Sequence, residues 1–199
     1  MEEKITKEEI EKLMQVKGEC RGAVLKADAD FILREEGRES LKRFEQKMAE
    51  LGYPMDYEKM KIIDFFPLGV RGVQLLVLQK FFGFDREKFR ELGKFQAKTP
   101  LFIKLFVRFF VSLEILTKKT PEMWRKHYTI GDLEVQEFNN EKRSGLAVLK
   151  NFALHPLVCQ VLEGYFIGAV GMIVGDTVSC EEIKCTFKGD DHHVFSLKW

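Results

Sequence analysis

GLAVLKNFALHPLVCQVLEGYFIGAVGMIVGDTVSCEEIKCTFKGDDHHVFSLKW, residues 145–199, switches hydrophobic period twice and so decides the fold class. Residues 145–152 alternate apolar and polar, as a half-buried strand does. Residues 131–138 (GDLEVQEF) alternate in the same way, and the polar NNEKRS between the two reads as a hairpin connection. Pro156 then opens a helix that runs to about 174, and two final strands, 177–187 and 193–199, flank the turn Gly189-Asp190-Asp191. Working outward, the N-terminal part is helical. Thr6 and Glu9 stand at capping-box spacing before Ile10, Leu13 and Met14, which predicts a short amphipathic helix over 6–16. Residues 17–27 read as extended, 28–50 as a helix, and 57–67 as either a strand or a helical turn. Further helices are expected at 69–82, at 86–96 behind Asp85, and at 100–118 with Pro100 in the first turn. The pattern is α+β: N-terminal helices followed by a β-β-α-β-β unit with an antiparallel sheet. Residues 1–17 are expected to form an appended amphipathic helix suited to dimerisation or signalling, and 18–199 a single domain.

Composition narrows the function. The 199 residues are 45% hydrophobic, enough for a core that needs neither disulfide nor metal to exist. Thirty-two basic against 31 acidic residues leave a net charge of +1, which removes the footprint of a general nucleic-acid binder. The charged N-terminus lacks the apolar core of a signal peptide, so a cytoplasmic location is expected. The apolar run from Val158 to Val174 is interrupted by Gln160 and Glu163 and falls short of a membrane span. No GxSxG, phosphate loop, dinucleotide fingerprint or HExxH occurs, so no catalytic residue is assigned and a non-enzyme is expected.

The four cysteines of such a chain read as thiols or metal ligands. Cys159 lies in the first turn of the 156–174 helix, Glu182 and Cys185 in the next strand, and His192 and His193 at the start of the last. Thiolate, carboxylate and imidazole are the donors a tetrahedral zinc site accepts. Positions 182 and 185 have opposite parity, so a regular strand would separate them; a bulge near Ile183 would reunite them. The same argument favours His193 over His192. On spacing alone the bland alternative stands beside this one, since cysteine is often a small buried hydrophobe and no CxxC pair is present. Cys20 and Cys180 are read as buried thiols.

The motif Glu182-x2-Cys185-x3-Gly189-x3-His193-x-Phe195 resembles the C-terminal signature of the 4-vinyl reductase domain, which is also the sensory module of aromatic-responsive bacterial transcription activators. The resemblance implies a structural zinc held by Cys159, Glu182, Cys185 and His193, with His193 standing where the family has a last cysteine. It also implies a hydrophobic small-molecule cavity beside that corner, with candidate walls Phe102, Phe106, Phe109, Phe110, Tyr165 and Phe166. The implied function is a zinc-containing, small-molecule-binding sensory or regulatory domain. It would bind an apolar small molecule, form a homodimer and pass its signal to a protein partner.

The family's fold is similar to that of TRAPP vesicle-tethering subunits and haem-nitric-oxide-binding domains. Two alternatives follow: a scaffold protein with a lipid-type pocket, or an enzyme or haem-binding protein acting on a tetrapyrrole or other apolar ligand. For the haem alternative His155 is a candidate ligand, but the usual Tyr-x-Ser-x-Arg motif is absent. His127, in the run Trp124-Arg125-Lys126-His127-Tyr128, is a candidate acid-base group or an ordinary hydrogen-bonded histidine. Gly164, Gly168 and Gly171 in one helix imply either close backbone packing or room for a ligand.

Overall fold

A computed structural model describes residues 4–99, 112–175 and 177–199. Helix α1 (Lys7–Met14) begins where the capping box places it: the Glu9 amide donates to Thr6 Oγ1 at 3.2 Å and the Thr6 amide to Glu9 Oε2 at 2.9 Å. Its Leu13 is buried, and Lys80 donates to Glu9 across a 2.7 Å ion pair that fastens α1 to the end of α3 (Leu68–Lys80).

The extended reading of 17–27 is corrected. Only Glu19–Arg21 (β1) is a strand, paired antiparallel with Phe65–Pro67 (β2), and α2 (Gly22–Glu50) starts at once. Val24, Leu25, Asp28, Ala29, Phe31 and Ile32 are all buried, a helical i, i+1, i+4, i+5, i+7, i+8 face that begins earlier than expected. Helix α2 breaks at Gly37, whose φ of 85° is open to glycine at little cost. Every described residue from Leu68 to Leu78 of α3 is buried, so that helix is apolar nearly all round and lies in the middle of the fold. Asp85 caps α4 (Arg86–Ala97), accepting the Lys88 amide at 2.9 Å.

The expected helix 100–118 meets the structure only in part. Residues 100–111, which include the candidate wall residues Phe102, Phe106, Phe109 and Phe110, lie outside the described residues. Helix α5 (Leu113–His127) is capped by Ser112 and runs past the expected end, carrying Trp124 and His127 within it. Pro121 costs it one backbone bond without stopping it.

Strands β3 (Asp132–Asn139) and β4 (Ser144–Lys150) form a hairpin, α6 (Pro156–Val174) follows, and β5 (Ser179–Lys184) and β6 (His193–Lys198) complete a four-stranded antiparallel sheet ordered β3-β4-β6-β5. Helix α6 is long and apolar enough to cross a membrane by length and composition, but most of it is buried inside the fold against α4 and the sheet. The glycines explain the packing. A Cβ on Gly164 would fall on the Arg90 carbonyl, and one on Gly93 would fall on the Val161 carbonyl. A Cβ on Gly168 would meet Ala97 Cβ at 2.8 Å and the Lys94 carbonyl at 3.1 Å, so close packing is the role of Gly164 and Gly168.

Candidate functional site

Two places concentrate chemistry. The first is a corner where α6, β5 and β6 meet. Cys159 sits one turn into α6, behind the His155 cap whose Nδ1 accepts the Leu157 amide at 3.3 Å. The β5–β6 register shifts between Glu182 and Lys184, which carries Glu182 and Cys185 to the same side despite their opposite parity. Beyond β5 the chain turns sharply: the Cys185 amide donates to Asp190 Oδ2 at 2.8 Å, and Gly189 takes a φ of 98°. His193, the first residue of β6, is buried, whereas His192 is only half-buried.

These four side chains converge. Their ligand atoms all lie within 4.8 Å of one another. Cys159 Sγ is 3.9 Å from Cys185 Sγ and 3.7 Å from His193 Nδ1, while His193 Nδ1 is 2.8 Å from Glu182 Oε1. His193 Nε2 lies 3.0 Å from the Phe152 carbonyl and 2.9 Å from Thr186 Oγ1, while Nδ1 faces the thiols and Glu182. Burial and the neighbouring Glu182 carboxylate push the Cys159 thiol up, and burial pushes Cys185 up. Burial also pushes Glu182 up, but hydrogen bonds from His193, Cys159 and Cys185 outweigh it and hold that carboxyl below its ordinary value. Cys20 and Cys180 are buried free thiols outside this group.

The second place is an apolar cavity of about 110 Å3 between α2, α5, α6 and the sheet. Of the expected walls that are described, Tyr165 and Phe166 line it. His127 also lines it, and His155 does not. Burial, then Arg21 and Lys126, push His127 down to about 4, so its imidazole is neutral near pH 7. Trp124 stacks on Tyr128 at 4.3 Å and donates from Nε1 to the Ile130 carbonyl at 2.9 Å, which fixes the end of α5 that carries His127.

The polar edge of this cavity was not picked out from sequence. Arg71 and Gln96 line it and converge on the fully buried Asp28: Arg71 Nη1 donates to Asp28 Oδ2 at 3.0 Å, and Gln96 Nε2 donates to Oδ1. The signal was available, since Arg71 is a lone charge within the apolar run Leu68 to Leu78. Glu163, read only as an interruption of an apolar stretch, is 2% exposed; it pairs with Arg86 at 3.1 Å and accepts the Glu182 amide at 3.0 Å.

No protein-family model matches the sequence, and no curated protein matches it. The 4-vinyl reductase resemblance therefore stays with its motif. Solved structures do match. An H-NOX protein from S. oneidensis, in its Fe(II)NO ligation state, superposes with a TM-score of 0.64 at 14% identity, over 89% of this chain and 98% of that one. The chain has the H-NOX fold. An oxygen-binding H-NOX domain related to soluble guanylate cyclases, solved as its oxygen complex, matches with a TM-score of 0.59 at 15% identity, over 89% and 94% of the two chains. A third structure, titled for modulating haem redox potential through porphyrin distortion, matches at 0.63 and 13% identity, over 90% and 99%. Zinc as the cofactor is corrected by these matches, because the group named among the proteins that share this H-NOX fold is haem.

Proposed function

We propose that this protein is a ligand-binding sensory domain whose apolar cavity seats haem. The observation that carries the reading is His127, a buried neutral imidazole in the wall of that cavity. Neutral imidazole is the form that ligates iron. His127 would hold the iron, and the apolar walls from α6 and the sheet would flank the macrocycle, which the cavity of about 110 Å3 would have to widen to admit. When bound, haem supplies an iron with a position for a small gaseous ligand. The chain's own residues orient the imidazole through the Trp124 clamp and exclude water. The fold shared with H-NOX domains supports the reading.

The test is the absorption spectrum of protein mixed with haem, for the wild type, His127→Ala and His155→Ala. A Soret band that depends on His127 and survives His155→Ala is expected. A band indifferent to His127 sinks this assignment. A second reading, a sensor for a smaller apolar molecule, is favoured by the cavity's volume. At about 110 Å3 it is nearer the size of a void that accepts benzene than that of a drug-sized pocket.

The corner belongs to the proposal as a seat for a soft transition-metal ion held by Cys159, Glu182, Cys185 and His193. The convergence of two thiols, one imidazole and one carboxylate supports it. Cobalt(II) is the probe: a thiolate-to-cobalt charge-transfer band is expected in the wild type and in Cys20→Ser, and not in Cys159→Ser. No band in the wild type would leave the four as a hydrogen-bonded cluster. Dimerisation or signal output through α1 is proposed on its outer face, where Lys7, Glu8, Glu11 and Lys12 are exposed. An unchanged oligomer after deletion of residues 1–16 removes that part.

A further inference from the structure

Arg71 is 1% exposed, yet its hydrogen bonds are incomplete. Nη1 serves Asp28 and the Val24 carbonyl at 3.2 Å, whereas Nε is buried with no hydrogen-bond partner among the described residues. Buried donors are nearly always satisfied, so an exception at a cavity wall marks a bond that something else completes. Most of the rest of the wall is apolar, including Val24, Leu113, Leu133, Val158 and Leu162, and its other polar members include Gln96, Thr117, Thr120 and His127.

Resting on the reading that this cavity seats the ligand, we infer that Arg71 is its polar anchor, with Nε–H donating to one acceptor oxygen at the edge of an otherwise apolar ligand. Nε–H is a donor only, so the ligand must present an acceptor. Asp28 already balances the guanidinium charge, so the oxygen need not be anionic. A carbonyl of a small apolar molecule and a carboxylate of haem supply the same chemistry. A purely hydrocarbon ligand leaves the donor unmet. Gln96 holds Asp28 from the other side, which keeps Arg71 from turning to a different partner.

The experiment compares matched probes by titration calorimetry: acetophenone against ethylbenzene, and haem against an iron porphyrin without carboxylates. In the wild type the oxygen-bearing member of whichever pair binds should bind roughly tenfold more tightly. The preference should vanish in Arg71→Met/Asp28→Asn, which removes both charges together and keeps the volume. Should that variant fail to fold, Thr117→Val/Thr120→Val decides: a preference that persists there supports Arg71 as its source, and one that vanishes overturns the anchor. Equal affinities within the pair that binds overturn the anchor and leave the cavity reading standing. Failure of all four probes overturns the cavity reading and the anchor with it. The pair that binds identifies the source of the oxygen.

Discussion

Asp28 shows how a single buried carboxyl sets a pH dependence. Burial pushes it up to about 6, against the opposing pull of Arg71 and Gln96. A folded-state value above the unfolded one means the group's stabilising contribution is complete below about pH 4 and is lost as pH rises through about 6. Asp28→Asn has no such loss. In the ligand-free protein the stability gap between variant and wild type should therefore move in the variant's favour by about 2 kcal/mol from pH 4 to pH 7. Urea unfolding at the two pH values measures it, and a gap that stays constant would mean that Asp28 ionises as it does in the unfolded chain. At this scale sequence reading was uneven. Cys159, Glu182, Cys185 and His193 could be named because donor type and strand parity are local properties. Arg71, Asp28 and Gln96 could not, because the contact that makes them a cluster joins three helices distant in sequence.

Among the elements, α4 and α6 meet through glycine. Adding one methyl at Gly164 places it on the Arg90 carbonyl, and neither backbone can give without the helices separating. Gly164→Ala should cost on the order of 2–4 kcal/mol, in the range of a forced core rearrangement. Among the described residues Gly171→Ala meets only Val178, at 3.9 Å, and should be neutral or stabilising by up to about 1 kcal/mol. Thermal melts of the two variants separate tight packing from mere helix propensity. Equal effects would show that the glycines act through propensity alone. Element boundaries were legible where a local signal marks them: the capping box at Thr6 and Glu9, Asp85 before α4, Pro156 at the start of α6. The start of α2 was not, because residues 17–27 read as extended while the apolar face from Val24 onward had already begun. The glycines of α6 left two readings open until a facing backbone was placed against them.

Over the whole molecule, helices pack against a four-stranded antiparallel sheet, and the cavity lies among α5, α6 and the sheet with His127 in its wall. The α+β class followed from the change of hydrophobic period. Which group the cavity takes did not, because identities of 12–15% with the solved domains preserve a fold without preserving a site. The cofactor expectation went astray for that reason: the motif that suggested zinc lies at the corner, and the cavity beside α5 carries no motif of its own. The most direct measurement is a spectrophotometric titration of the purified protein with haem. Saturation is expected near one haem per chain, with a Soret band that is lost in His127→Ala. Haem that adds without a saturable band, or a band unaltered by that substitution, would contradict it.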